Sequence, residues 1–425
     1  MSQLPLGFRA AGLPRHDRPR PSRHGLAIFY SETPAAAAAC FTTNIVKCVH
    51  IPIDQERLRT GFAQAILVNS GCANCCTGKR GVREARKTIR WASKALNVSD
   101  KEILVASTGV IGDFMPMDLL SEEIPMLSQK LLREEGLQYT AFHKAAEAIM
   151  TTDTTVKIAH ASVRIGGKEV RLWGCCKGAG MIHPQMTLNG VWPKRRFAER
   201  RFAKRRSMTG KHATMLAFIL TDLKSSAAEL RPLLAGTTEE SFNRVTVDGD
   251  MSTNDSVFLL ANSASGAALN TPSDRRRFYA ALQGVCIDLS KKIAKDGEGA
   301  SKFLEIRVQG ARSVSDAQKM AMTVATSPLV KTAAHGEDSN WGRILAAMGR
   351  SGVPFDPSKV DISFGKLCVF RRGAPTSVSA EKAREPLKAK EVALVVNLHA
   401  GKAQGFYWTC DFTGRYVDIN ARYRT

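Results

Sequence analysis

Short apolar runs punctuated by turn residues set the rhythm of the first half of the chain. Gln64–Val68 (QAILV) reads as a buried strand entering the turn Asn69-Ser70-Gly71, and Glu102–Ala106 (EILVA) as a second one ending at Ser107-Thr108-Gly109. Between them, Gly81–Leu96 spaces its apolar residues as a helix does and carries little glycine or proline; Met117–Glu135 and Tyr139–Met150 read likewise. Strands over Ala159–Ile165 and Glu169–Trp173 flank Gly166-Gly167, a hairpin signal. The second half repeats the mixture. Met215–Thr221 and Ser256–Ala261 are apolar enough for buried strands, while Ser226–Leu234, Glu239–Asn243 and Arg275–Lys295 are helical. Phe303–Val308, Val360–Phe364 and Val392–Leu398 predict later strands. There is no fixed-period repeat. Helices and strands interleaved throughout predict a layered α/β or α+β architecture, and 425 residues are enough for two domains.

One interval breaks the pattern. Residues 187–212 read TLNGVWPKRRFAERRFAKRRSMTGKH, dense in charge between apolar, glycine-rich flanks. The segment has the look of an insertion, a solvated loop or short basic helix. It supplies a large share of a formal charge of +22. Such an excess fits nucleic acid, a membrane surface or anionic small molecules. Trp192, Phe197 and Phe202 could stack on bases, but a solvated loop accounts for the same residues, and nucleic acid is not the expected partner.

The remaining composition is that of a soluble globular protein. No apolar run is long enough to span a bilayer, and MSQLPLGFRAAG lacks the apolar stretch of a secretory signal. Arginines lie early, at 9, 15, 18, 20 and 23, yet a cytoplasmic location is expected. The ten cysteines are crowded (Cys72, Cys75, Cys76), adjacent (Cys175, Cys176) or scattered in apolar segments, a pattern of reduced thiols. Cys72-x-x-Cys75 lacks a second pair at ligand spacing, so no metal is expected.

Clusters of small polar residues follow the strands: Asn69–Asn74, Ser107–Gly112, Thr151–Thr154, Lys177–Gly180, Asp248–Asp255, Asp296–Gly299 and Gly336–Asn340. Each alone is ordinary turn chemistry. Together they suggest a site lined by backbone N–H groups and hydroxyls, suited to a reaction that develops an oxyanion. Nothing local supports a serine hydrolase, a zinc protease or a phosphate-binding loop of the G-x-x-x-x-G-K-[ST] type.

Lys177-Gly-Ala-Gly-Met-Ile-His-Pro-Gln-Met186, continued beyond the insert by His212-Ala-Thr-Met-Leu-Ala-Phe218, resembles the nucleophile motif of the ornithine acetyltransferases. Matching runs include Phe41–Asn44, Val105–Gly112, Ile149–Thr154, Thr246–Asp255, Ser327–Thr332, Gly336–Gly342 and Tyr416–Thr425, in order along nearly the whole chain. The resemblance implies a layered αββα-type sandwich of the N-terminal-nucleophile kind, with a smaller C-terminal domain. It implies self-cleavage at Ala213–Thr214 into chains 1–213 and 214–425, which pair into a heterotetramer of two α and two β chains. Thr214 would be the nucleophile, its freed α-amine the base, and Thr108 and Gly109 the oxyanion hole. Thr151, Lys177, Thr214, Glu298, Asn420 and Thr425 match substrate-binding positions. The reaction implied moves an acetyl group from N-acetylornithine to glutamate in arginine biosynthesis, without a cofactor. Acetyl-CoA as a second donor stays open.

The sequence departs from that family where 187–212 separates Met186 from Ala213, and Leu188 stands where the nucleophile would otherwise fall. Met215-Leu-Ala-Phe218 fits the continuation after the nucleophile, which assigns the role to Thr214. Two other readings remain at this point: an aminopeptidase-type hydrolase using the same nucleophile, and an uncleaved, inactive homologue whose basic insert binds nucleic acid.

Overall fold

A computed structural model describes residues 4–17, 24–191 and 214–422. It divides into two compact units by packing, a division separate from the cleavage expected at Ala213–Thr214. The first holds the chain through residue 243 together with 251–289; the second holds 244–250 and the chain from 290 onward.

In the first unit the elements run β1 (Phe8–Leu13), β2 (Gly25–Thr42), α1 (His50–Arg57), β3 (Phe62–Ser70), α2 (Gly78–Leu96), β4 (Ile103–Ser107), α3 (Met117–Leu132), α4 (Tyr139–Ala148) and β5 (Lys157–Ile165). They continue with β6 (Lys168–Lys177), β7 (Met186–Thr187), β8 (Leu216–Thr221), α5 (Ala227–Glu239), β9 (Ser256–Ala261) and α6 (Pro272–Lys295), the last belonging here through Leu289. The hydrogen-bonded path is β4-β3-β2-β9-β8-β6-β5, with β1 and β7 also on β2.

β2 turns this single path into two layers. Its first half pairs with β1 and β3, and its second half with β9. The register breaks between Tyr30 and Ala35, at the exposed residues Glu32, Thr33 and Pro34. Proline has no N–H to give a ladder, so a break is expected there. Alternate residues then separate the faces. Phe29, Ile66, Val68, Leu104 and Ala106 from one half meet Trp173, Phe218, Leu220 and Phe258 from the other in one buried cluster. Phe29 stacks on Phe218 at 5.1 Å between ring centroids, and Phe218 on Phe258 at 5.5 Å. Each such pair adds about 0.5–1.5 kcal/mol beyond its buried area. The opposite face of the first half, with Leu26, Ile28, Ala65, Leu67, Ile103 and Val105, packs on α2 and α3. On the far face of β6, Cys176 Sγ donates to Leu289 O of α6 at 3.6 Å. The result is the layered αββα order.

Several elements differ from the sequence expectation. β2 was not anticipated, because five consecutive alanines at 35–39 hide the alternation. Helices expected over Ser226–Leu234 and Glu239–Asn243 are one helix, Ala227–Glu239, with a separate short turn at Phe242–Arg244. β6 runs to Lys177 rather than stopping at Trp173, which makes the motif lysine its last residue. The hairpin at Gly166-Gly167 is present, both glycines having positive φ.

The second unit is built on β10 (Phe303–Ala311), α7 (Val314–Ala325), α8 (Pro328–His335), α9 (Trp341–Gly349), β11 (Asp361–Phe364), β12 (Leu367–Arg371), β13 (Ala374–Pro375), α10 (Ala380–Arg384), β14 (Glu391–Asn397), β15 (Ala403–Cys410) and α11 (Gly414–Arg422). Its sheet order is β13-β12-β11-β14-β10-β15. Ala317, Met320, Ala321 and Val324 of α7 cover Ile306, Val308, Leu394 and Val396 of the sheet. All ten cysteines of the chain are free thiols.

Candidate active site

Two of the polar clusters interlock at the C-terminal ends of parallel strands β3 and β4. Ser107 Oγ donates to Asn69 Oδ1 at 2.7 Å, and Asn69 Nδ2 donates to Cys72 O at 2.8 Å. Backbone bonds complete the lock: Thr108 N to Asn69 O at 3.1 Å, Val110 N to Gly71 O at 3.3 Å, and Ala73 N to Val110 O at 3.0 Å. Gly109 sits at the closest approach, with φ of +129°. A Cβ there would lie 2.3 Å from Gly71 C and 2.5 Å from Cys72 N. Only glycine fits so close to another backbone. The turn therefore presents the Thr108 hydroxyl and the Gly109 peptide from a rigid base.

Lys177, at the end of β6, reaches this turn. Its Nζ donates to Thr151 Oγ1 at 2.7 Å and to Thr108 Oγ1 at 3.4 Å, and it is fully buried. An ammonium only donates. Thr108 Oγ1 therefore accepts from it, leaving the threonine's own O–H to donate elsewhere, as an oxyanion contact requires. The buried charge is balanced by Asp153, whose Oδ2 is 3.7 Å from Lys177 Nζ and whose Oδ1 is 2.7 Å from Lys157 Nζ. Asp153 also accepts from the backbone N–H of Thr151 at 3.0 Å and of Gly178 at 2.6 Å. Burial works to raise its pKa, but the two lysines and these hydrogen bonds prevail and hold the carboxyl well below the usual carboxylate range.

Thr214 enters β8 beside the same lysine. Lys177 pairs with Leu216 in the β6–β8 ladder. At Gly178 an added Cβ would stand 3.4 Å from Thr214 O. Thr214 is 1% exposed, and its Oγ1 lies 2.9 Å from Ser252 Oγ. Met215 N donates to Asp255 Oδ1 at 3.0 Å.

The first unit thus gathers Thr108, Gly109, Thr151, Lys177 and Thr214 among the described residues. In the second unit, Glu298 is 7% exposed and accepts from Asn420 Nδ2 at 2.8 Å, the same nitrogen donating to Tyr416 O at 3.0 Å. Burial raises the Tyr416 phenol pKa, and the neighbouring carboxylates of Asp248, Glu298 and Asp250 push it further. Ala213 and Thr425 lie outside the described residues, as does the insert from Trp192 onward. Its first residues are described: Thr187 pairs with Phe41 in β7, and Asn189 O accepts from Gln55 Nε2 at 2.9 Å. No group of three histidines, cysteines or carboxylates that could hold a metal ion occurs among the described residues. No helix there is long and apolar enough to cross a membrane.

Sequence reasoning did not single out Asn69, Asp153 or Ser252 as individual residues. Each sits inside a polar cluster it did mark, but only the fold shows which member of a cluster faces the threonines.

The chain matches the ArgJ family over residues 10–425. It is 45% identical to the arginine biosynthesis bifunctional protein ArgJ of Desulfotalea psychrophila, over 95% of each chain. With the protein of that name from Symbiobacterium thermophilum it shares 43% identity over 99% of this chain and 98% of the relative. A crystal structure of ArgJ from Bacillus halodurans is 44% identical, covers 47% of this chain and 95% of its own, and superposes with a TM-score of 0.46. The chain belongs to the ArgJ family and is an acetyltransferase of arginine biosynthesis.

Proposed function

We propose that the chain cuts itself at Ala213–Thr214 and then transfers an acetyl group from N-acetylornithine to glutamate through an acetyl-Thr214 intermediate. The observation that carries this reading is Lys177. It ends the strand that pairs with the start of β8, beside Thr214, and donates to both Thr108 and Thr151.

In the cut protein the Thr214 α-amine takes the hydroxyl proton as Oγ attacks the acetyl carbonyl. A neutral α-amine with a pKa of about 8 suits that role near physiological pH. Thr108 and the Gly109 peptide donate to the oxyanion, and the proton passes to the departing ornithine amine. Glutamate's amine then attacks the acetyl ester and Thr214 Oγ is expelled, regaining its proton. Thr151 and Lys177 bind substrate, Lys177 through a carboxylate. In the second unit Glu298, Asn420 and Thr425 are the assigned substrate contacts, Glu298 for the ornithine amine. A cytoplasmic location and a heterotetramer of two α and two β chains belong to the same proposal, the heterotetramer resting on the family resemblance, which leaves acetyl-CoA open as a second donor.

Intact mass spectrometry with an acetyl-transfer assay tests it. Two chains, the second starting at Thr214, and transfer that requires glutamate are expected. A second chain starting at Thr187 would show that another threonine is used. An uncut chain that still transfers acetyl groups would sink the mechanism. Deacetylation of N-acetylornithine at the same rate without glutamate would make the protein a hydrolase.

A further inference from the structure

The Asp248–Asp255 cluster has no task in that mechanism, yet its last four residues reach both Thr214 and the backbone that carries the Thr108–Gly109 turn. Ser252 Oγ lies 2.9 Å from Thr214 Oγ1, and the two residues are 0% and 1% exposed. The backbone N–H of Asn254 donates to Ser252 Oγ at 3.2 Å, and Thr42 Oγ1 donates to Ser252 O at 2.9 Å. Asn254 Nδ2 donates to Ser107 O at 2.7 Å, at the end of β4, and to Ala73 O at 2.8 Å, in the loop after β3 that bonds to Val110. Asp255 Oδ1 accepts from Met215 N.

We propose that Ser252 is a catalytic residue, whose hydroxyl donates a hydrogen bond to Thr214 Oγ while that oxygen carries negative charge. The inference rests on Thr214 being the nucleophile. A hydroxyl has one proton to give and two lone pairs. Asn254 N–H, which can only donate, occupies one lone pair of Ser252 and polarises its O–H outward. While Thr214 is a neutral alcohol, either oxygen of the pair can be the donor. Once Thr214 Oγ loses its proton it can only accept, and Ser252 must donate.

The need arises at each step that charges this oxygen. It arises as the Oγ–C bond to the acetyl group forms and the proton leaves for the α-amine. It arises again as that bond breaks, the electron pair returns to Oγ, and the proton comes back. Ser252 keeps its own proton throughout, so nothing is left to balance. In the uncut chain no α-amine exists at Thr214, so the donor matters more for self-cleavage. Asn254 is the positioning residue: one side chain and its own amide tie Ser252 to the oxyanion turn.

The test compares Ser252→Ala, Ser252→Cys and Ser252→Thr in the full chain, with Thr214→Ala as reference. Precursor loss, kcat and KM for N-acetylornithine, and thermal melting are measured for each. Ser252→Ala should melt near wild type, cut itself slowly and lose roughly 100-fold in kcat, the usual cost of one lost donor to developing charge. KM should stay within about threefold, since the bond strengthens only as charge develops. Ser252→Thr, which keeps the hydroxyl, should recover most of the loss. Ser252→Cys keeps the shape but donates weakly, and should be at least about tenfold slower than wild type even if the alanine variant does not fold. Wild-type turnover in the cysteine variant overturns the proposal, as do equal losses in folded Ala and Thr variants. If Thr214→Ala still transfers acetyl groups, the nucleophile assignment itself falls. If Thr214→Ala is inactive and Ser252→Cys is unimpaired, the role of Ser252 falls alone.

Discussion

Asp153→Asn removes one negative charge from between two buried lysines. Lys157 and Lys177 are 1% and 0% exposed in their side chains, and Asp153 is fully buried with them. The substitution keeps the shape but fails twice. It leaves two cations without their counter-ion. It also sets an NH₂ group against a donor, since Oδ1 takes Lys157 Nζ and Gly178 N while Oδ2 faces Thr151 N and Lys177 Nζ. Whichever way the amide is turned, one side meets N–H groups. Breaking a buried pair by removing one partner costs about 3–5 kcal/mol. At about 2–4 °C per kcal/mol for a unit of this size, the melting temperature should fall by roughly 6–20 °C. Replacing a second partner as well, in Asp153→Asn with Lys157→Met, should recover a large part of the loss, because one orphaned charge is gone. The sign with pH is determined. The folded-state pKa of Asp153 is depressed, so its contribution is present above the unfolded value near 4 and lost as pH falls below it toward the folded value. The variant should therefore lose less stability than wild type between about pH 4 and pH 2. Thermal melting across that range, with acetyl transfer measured at neutral pH, is the assay. A variant that melts within about 2 °C of wild type would refute the claim that this carboxylate holds the lysines in place.

Thr108→Ala should keep the fold and lower turnover by roughly 100- to 1000-fold, read from steady-state kinetics; wild-type turnover would remove Thr108 from the site. Burial pushes the His50 imidazole pKa down to about 3, against about 6.5 unfolded, so stability should fall as pH drops through that window, by about 1.4 kcal/mol per pH unit for this proton. Urea unfolding at pH 7, 6 and 5 should show a slope shallower by one proton in His50→Gln; equal slopes would contradict it. Removing 192–212 leaves the Thr187 and Asn189 contacts intact and brings Val191 to Ala213. A time course of precursor loss should then show faster self-cleavage, and slower cleavage would make the segment part of the site.

How much was legible in the sequence follows from what each pattern encodes. Buried strands flanked by turns, such as Ser256–Ala261, are local signals, and they appear where expected. β2 was missed because its second half has no alternation to read: alanine packs equally well on either face, and its long bent course is defined only by its partners. The same strand converts one hydrogen-bonded path into two facing layers, so periodicity predicts layers while their αββα order is implied by the family resemblance alone. The helix Ala227–Glu239 was split in the sequence reading, although Ser226 and Glu229 form a capping box that a local scan can find.

Site residues divide along similar lines. Glycine at 109 is demanded by backbone approach, and it stands at a strand end where such a demand is visible. Asp153 and Ser252 are different, because one acidic residue or one hydroxyl in a polar run is indistinguishable from turn chemistry until long-range pairing selects it. Asp153 meets Gly178 and Ser252 meets Thr214 across 25 and 38 residues of chain. The second separation spans none of the insert. Thr214, Met215, Ser252, Asp255 and Ser256 form one local set downstream of residue 213, with Ser256 N donating to Met215 O at 3.1 Å. The chain before the insert is tied independently, through Thr187 on Phe41 and Met186 N on Asn243 Oδ1 at 2.8 Å. A long segment between two anchored ends adds little closure entropy as it lengthens. Thr214 is therefore held by Ser252 and Asp255 downstream as well as by the β6–β8 ladder, and those downstream contacts would survive a change in the length of the segment before it.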